Sequence, residues 1–333
     1  MSSNDTTSSS AIIELNQISI YLSTILGFVI LYAGLFGNSF NIFLFFTLGN
    51  YKRNACSFYM LSKSFFDLGI LAFGLWTALL RQGFHLDFTT QNSIWCKIRY
   101  PLIDLTGFSS LTCLCLESLD VFLSSSRSAT MRMKSNVKVA RVLVGGFFIV
   151  WIGHGIPYMF IQDLVQRACV GTSSIYTQYY RGYFVNLGLY VFIPVVFISI
   201  FGFLTYRNLR NITSNRNPVC ALTRQMIHMT LSQIGAVLLF NGPLAIFLAY
   251  SVGTANVKQK SIFRQAREQV AQSFFGVYTY GTYSSSFYCY YAASKRFRHE
   301  VSDFLKIRRR RRTNQLMPRT DSMMLQQQQT SRV

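Results

Sequence analysis

Long apolar runs alternate with short polar, basic segments along the chain as far as about residue 293. A helix that crosses a bilayer needs about 20 mostly apolar residues, because the hydrocarbon is about 30 Å thick and each residue rises about 1.5 Å. Seven runs meet that length: Ile20–Thr47, Ser57–Leu80, Tyr100–Leu123, Val139–Ile161, Tyr183–Tyr206, Met226–Tyr250 and Val270–Ala292. The runs are continuous, whereas strands of a membrane barrel alternate apolar and polar positions. The pattern therefore predicts an all-α membrane protein, a seven-transmembrane helix bundle. Lys63 and Asp67 fall inside the second run, and Asp104, Glu117 and Asp120 inside the third. Ionisable residues at that depth face protein or water rather than lipid.

Around the bundle, residues 1–18 read as an N-terminal tail and 307–333 as a basic, Gln-rich tail without fixed structure. Residues 294–306 read as a short amphipathic eighth helix, with Lys295, Arg296 and Arg298 toward headgroups and Phe297, Val301 and Phe304 toward the interface.

Composition agrees with a membrane protein: 50% of residues are apolar and only 13% charged, against roughly a quarter charged in soluble domains. The net charge of +20 does not point to nucleic acid, since no basic stripe interleaved with polar sequence occurs. It sets topology instead. With the N-terminus outside, 22 of the 32 Lys and Arg fall on the cytosolic side, 9 on the outer side and Lys63 within the membrane. Basic loops stay in the cytosol, so the expectation is a plasma-membrane protein with an extracellular N-terminus. The sequon Asn4-Asp5-Thr6 lies on the outer side and would take a glycan. No CxxC, HExxH or paired catalytic motif occurs, so no metal, cofactor or enzymatic activity is expected. Cys113, Cys115 and Cys289 sit in apolar runs and read as small buried hydrophobes.

Several residues carry a family likeness. Gly37-Asn38 stands in the first run, Asp67 in the second, Trp95-Cys96 at the start of the third and Trp151 in the fourth. Pro194 and Pro243 stand in the fifth and sixth, and Tyr290 closes the seventh, with Phe297-Arg298 following at eighth-helix spacing. Over roughly Ser19 to Val301 the chain resembles the rhodopsin-like (class A) G-protein-coupled receptors, of the divergent kind found in large invertebrate families. The resemblance implies a Cys96–Cys169 disulfide across the mouth of the bundle and a polar core of Asn38, Asp67, Ser110 and Ser286. It also implies a cytoplasmic face of Asp120, Val121, Arg127 and Tyr290 that meets a heterotrimeric G protein and arrestin. Departures are clear. Ser286 replaces the family's seventh-span Asn, and Lys63 lies one turn before Asp67, where an i,i+4 pair would neutralise it. Both argue against the family's sodium ion at Asp67. Asp120-Val121-Phe122 replaces Asp-Arg-Tyr, leaving Arg127 as the nearby basic residue. The segment before Pro243, Phe240-Asn241-Gly242, lacks the family's aromatic switch.

The family binds ligands between the outer halves of the third, fifth, sixth and seventh helices. Asp104 is the sharpest candidate there, beside Ile103, with Arg181, Arg267 and Tyr278 on an aromatic, basic rim that suits a peptide or acidic ligand more than an amine. Arg99 or Arg181 would equally serve Asp104 as an internal partner. The seventh run has no Lys for a retinal Schiff base. Inside, Arg308 to Arg312 would meet anionic lipid, and Ser331-Arg332-Val333 has the pattern that PDZ domains receive by strand addition. The competing reading is a seven-span transporter or ligand-gated channel subunit, which would need inverted-repeat symmetry or a charged pathway.

Overall fold

The computed structural model describes residues 3–84, 86–126, 128–166, 168–171, 173, 176–214, 221–254 and 260–304. Arg127, Arg308 to Arg312 and Ser331–Val333 lie outside the described residues, as do the side chains of Asn4 and Arg181. The described residues up to Ala293 form a bundle of seven helices joined by short connections.

The helices overrun the predicted spans because nothing in the sequence stops them at the edge of the hydrocarbon. The first runs Ser3–Leu48, beginning well before Ile20; residues 3–19 contain neither Gly nor Pro, the two strongest breakers. The second spans Ala55–Phe84 and the third Ser93–Ser125, and the fourth is Val137–Ile161. Three of these starts are set by Asn. The side chains of Asn54, Asn92 and Asn136 accept from Ser57 N, from Ile94 and Trp95 N, and from Lys138 N. Such caps satisfy amide groups that a first helical turn leaves open.

After the fourth helix the chain forms a hairpin of β1 (Gln162–Val165) and β2 (Ala168–Gly171), antiparallel with Leu164 opposite Cys169. Cys169 is bonded to Cys96 at the start of the third helix, closing a 73-residue separation. Lys97 adds an ion pair to Asp163 at 3.5 Å, so the hairpin is held to the third helix at two points. A π-helical run, Tyr176–Phe192, then leads into the fifth helix, Ile193–Ser214. The change to α geometry falls beside Pro194, which has no N–H to give the ladder. The sixth helix is Ala221–Gly253 with Pro243 inside it.

Among the described residues, six helices are long and apolar enough to cross a membrane. The seventh is built differently. It comprises Ile262–Tyr278, Gly281–Ser284 and Ser286–Ala293, with breaks around Thr279-Tyr280 and at Ser285. Its first turns are polar and belong to a loop staple, where Lys260 and Arg264 both reach Glu268, at 2.7 and 3.1 Å. Across the first break the backbone switches to i→i+3 bonds: Tyr280 N to Val277 O, Thr282 N to Thr279 O and Tyr283 N to Tyr280 O. The segment Thr279-Tyr280-Gly281-Thr282-Tyr283-Ser284-Ser285-Ser286 is poor in helix formers, which accounts for the loosened winding without a proline.

The third helix is the axis. In its apolar window 67% of residues are buried, against 11% for the fourth, whose remaining face is left for lipid. By itself, the segment over 295–304 is one helix, with Ser294 Oγ accepting from Phe297 N and an Arg296–Glu300 pair at 3.2 Å.

Phe240 of the sixth helix nests where Gly281 lacks a side chain; a Cβ there would overlap the ring. Gly281→Ala is expected to lower the unfolding midpoint of the purified protein, at a cost of about 1–3 kcal/mol for overpacking. Phe240→Leu in the same chain is expected to recover most of the loss, and a strictly additive double variant in thermal unfolding would rule out the steric account.

Candidate functional site

Two polar constellations stand out, one in the middle of the bundle and one at the end closed by the disulfide. The central one is organised by Lys63 and Asp67, both fully buried. Lys63 Nζ lies 2.6 Å from Asp67 Oδ2 and donates to Ser286 Oγ at 3.0 Å. Ser286 passes its own proton to Asp67 Oδ2 at 3.2 Å, and Ser110 of the third helix donates to Asp67 Oδ1. Gln233 of the sixth helix donates to Ser286 Oγ at 2.9 Å, and Tyr290 donates to Gln233 Oε1 at 2.8 Å. One carboxylate thus ties together the second, third, sixth and seventh helices. A hydroxyl has one proton and two acceptor positions, and Ser286 uses all three.

Of the expected polar core, Asp67, Ser110 and Ser286 meet here, whereas Asn38 does not. Its amide donates to Gly34 O at 3.0 Å and to Tyr283 O at 2.9 Å, so the expected core is corrected to one without Asn38. The reason is the loosened seventh helix, whose backbone carbonyl at Tyr283 offers Asn38 an acceptor. The expected i,i+4 pair of Lys63 with Asp67 forms, and an ammonium occupies the position beside the carboxylate that a cation would need.

Toward the end opposite the disulfide, Glu117 of the third helix is fully buried and accepts from Thr230 of the sixth at 2.6 Å. Val121 and Tyr290 are buried, and Asp120 is nearly so and faces Ser135. The expectation that these residues present a face at the surface is therefore corrected for this conformation. Val121 has no charge to carry it toward water, and the Tyr290 hydroxyl finds its partner inside.

At the disulfide end a cavity of about 350 Å³ opens between the second, third, sixth and seventh helices and the π-helical run Tyr176–Phe192, within the range of small-ligand sites. Ile103 and Asp104 line it, with Arg81, Arg99, Asn186, Tyr190, Asn241, Gln272, Tyr280 and Tyr283 among the other wall residues. Tyr190 donates its hydroxyl to Asp104 Oδ1 at 3.1 Å and lies 3.2 Å from Ile103 O. Asn241 accepts from Thr279 and, at 3.3 Å, from Thr282, which joins the cavity wall to the loosened stretch of the seventh helix.

Two expected rim residues lie elsewhere. Tyr278 packs on Phe240, with ring centroids 5.0 Å apart, and stacks on Phe274, while Arg267 is exposed over the Phe263 ring at 4.4 Å. Helical phase explains both, because Gln272, Gly276, Thr279, Tyr280 and Tyr283 take the cavity face at steps of three and four, and Tyr278 falls between them. The sequence reading also missed Gln233, Thr230, Tyr190 and Asn241. Each is a polar residue at helical spacing within an apolar run, the signal that would have found them.

A family model described as 7 transmembrane receptor (rhodopsin family) matches residues 37–288. No curated protein matches the chain significantly.

Removing one member of a buried ion pair strands the other, at a cost of about 3–5 kcal/mol. Lys63→Met is accordingly expected to cut the yield of folded receptor and lower its unfolding midpoint, with Lys63→Met/Asp67→Asn largely restoring both. The unaltered protein is expected to melt at the same temperature in sodium and choline chloride. A sodium-dependent midpoint would show that Lys63 does not hold the carboxylate.

Proposed function

The chain belongs to the rhodopsin family of seven-transmembrane receptors, and we propose that it transmits binding of an extracellular ligand to a heterotrimeric G protein by rearranging its sixth and seventh helices. Members of that family are receptors rather than enzymes, and membership displaces the transporter or channel reading, which rested on span count alone. The observation that carries the proposal is a succession of two polar clusters along the sixth and seventh helices, from the cavity to the far end. The first is Asn241 with Thr279 and Thr282, and the second, one turn further along the seventh helix, is Ser286 with Asp67 and Gln233, which reaches Tyr290. Beyond Tyr290 the Glu117–Thr230 bond clasps the third helix to the sixth.

A signal along this succession needs an element with two arrangements. Pro243 in the sixth helix and the i→i+3 stretch of the seventh supply it, since both have backbone groups outside the regular α ladder. The charge bias of the loops puts the N-terminus and the disulfide outside, where disulfides persist, and this supports residence in the plasma membrane. The cytosolic end would then receive the G protein, and arrestin after it. Exposed Lys295 and Arg296 suit anionic lipid, and the terminal Ser331–Val333 suits a PDZ domain. The cavity favours a peptide or acidic ligand over an amine, because Tyr190 already engages Asp104.

Loss of the inner clasp is expected to favour the active arrangement. Thr230→Val should raise ligand-independent G-protein recruitment several-fold at matched surface expression, and Thr230→Ser should return it to the starting level. Val121→Arg is expected to strengthen ligand-driven recruitment by supplying the charge that the family uses there. Failure of every variant to recruit a G protein or arrestin across a broad peptide, acid and amine panel would refute the signalling assignment.

A further inference from the structure

Among the described residues, the cavity wall carries two arginines, Arg81 and Arg99, against a single acid. Arg99 is 6% exposed, and its hydrogen bond among the described residues runs from Nε to the neutral hydroxyl of Thr77 at 3.2 Å. Its guanidinium also lies over the Tyr100 ring at 5.6 Å. Arg81 lines the same cavity and its charge repels that of Arg99, while Asp87, which is not among the lining residues, offsets part of that charge from a distance without an ion pair. Ion pairs among the described residues involve Lys63, Lys97, Lys260, Arg264 and Arg296, and neither Arg81 nor Arg99. The one acid in the wall among the described residues, Asp104, is fully buried and accepts from Tyr190. Across the cavity stand the neutral amides of Asn186, Asn241 and Gln272, which cannot offset a cation.

A guanidinium withdrawn from water and held by no ion pair among the described residues is costly, and its planar fork of donors matches the two oxygens of a carboxylate. We propose that the ligand of this cavity carries an anionic oxygen head group, held by Arg99 with Arg81 beside it, on an apolar body packed against Ile103, Leu244 and Leu248. An amine would meet the two guanidiniums and find Asp104 already engaged. This inference rests on the receptor reading only in taking the cavity as the ligand site.

The test uses the full chain in phosphatidylcholine nanodiscs, with unfolding followed by intrinsic fluorescence. The probes are matched pairs, each a carboxylic acid and its primary amide, on alkyl, aryl-alkyl and dipeptide bodies, with alkyl phosphates, alkyl sulfates and alkylamines alongside. At least one acid, phosphate or sulfate series is expected to raise the midpoint by several degrees, with the uncharged partner giving no shift. Arg99→Gln should weaken that binding by at least about tenfold, the scale of a charged hydrogen bond lost. Arg81→Gln, at an exposed position that cannot unfold the core, should weaken it by a smaller factor. The inference is overturned if no anion shifts the midpoint, if acids and amides act alike, or if anion binding survives both substitutions. Amines that bind through Asp104, and lose binding in Asp104→Asn, would overturn it too. Transducer recruitment in cells is read separately: an anion that binds but recruits nothing counts against the receptor reading and leaves the head-group assignment standing.

Discussion

A charged pair at the centre of a membrane bundle is the constraint on which the other contacts depend. Lys63 and Asp67 are both fully buried, in surroundings where an isolated charge would be expelled or neutralised. Their 2.6 Å pairing cancels the charge but leaves lone pairs and protons to be satisfied. Ser110, Ser286 and Gln233 do this from three other helices. The relative placement of the second, third, sixth and seventh helices follows, because apolar packing alone is tolerant of sliding and hydrogen bonds within 3.2 Å are not. Van der Waals contact drives association in lipid, and interhelical polar bonds select one arrangement among many.

The seventh helix answers to this constraint. It lacks the Asn and Pro of the family motif, yet it bends away from regular winding over the same stretch by another route, a run of Ser, Thr, Gly and Tyr that prefers local bonds to the α ladder. The carbonyl of Tyr283 accepts from the Asn38 amide, and the hydroxyls of Thr279 and Thr282 donate to Asn241 Oδ1. Gly281 leaves room for Phe240. A chain that departs from the family's seventh-span letters has a loosened joint beside the cavity at the disulfide end.

The end opposite the disulfide departs more deeply. Where the family resemblance leads one to expect an arginine, Val121 is buried and apolar, and the third and sixth helices are held by a neutral hydroxyl on a carboxylate, Thr230 on Glu117. A single hydrogen bond of this kind is a weaker restraint than a network of charges, so the helices separate there at lower cost. The disulfide end is restrained more firmly, by the disulfide and by the Lys97–Asp163 pair on the same hairpin.

Much of this was legible along the chain. Apolar runs of spanning length need only counting. Lys63 with Asp67 could be paired from spacing alone, because one turn of helix brings i and i+4 together. Cavity residues on the third helix, Ile103 and Asp104, followed from depth. What stayed hidden was relational. The partner of Asn38 depended on a carbonyl that only the loosened seventh helix exposes. The choice of Tyr280 and Tyr283 over Tyr278 for the cavity depended on how that helix is rotated against its neighbours. Gln233 and Thr230 are ordinary polar residues until the sixth helix is set against the third and seventh. The sequence by itself determined which segments cross the membrane, since transfer of a helix into lipid is a sum over its own residues. Only the tertiary structure decided which polar groups meet, since that depends on the rotation and depth of helices far apart in the chain.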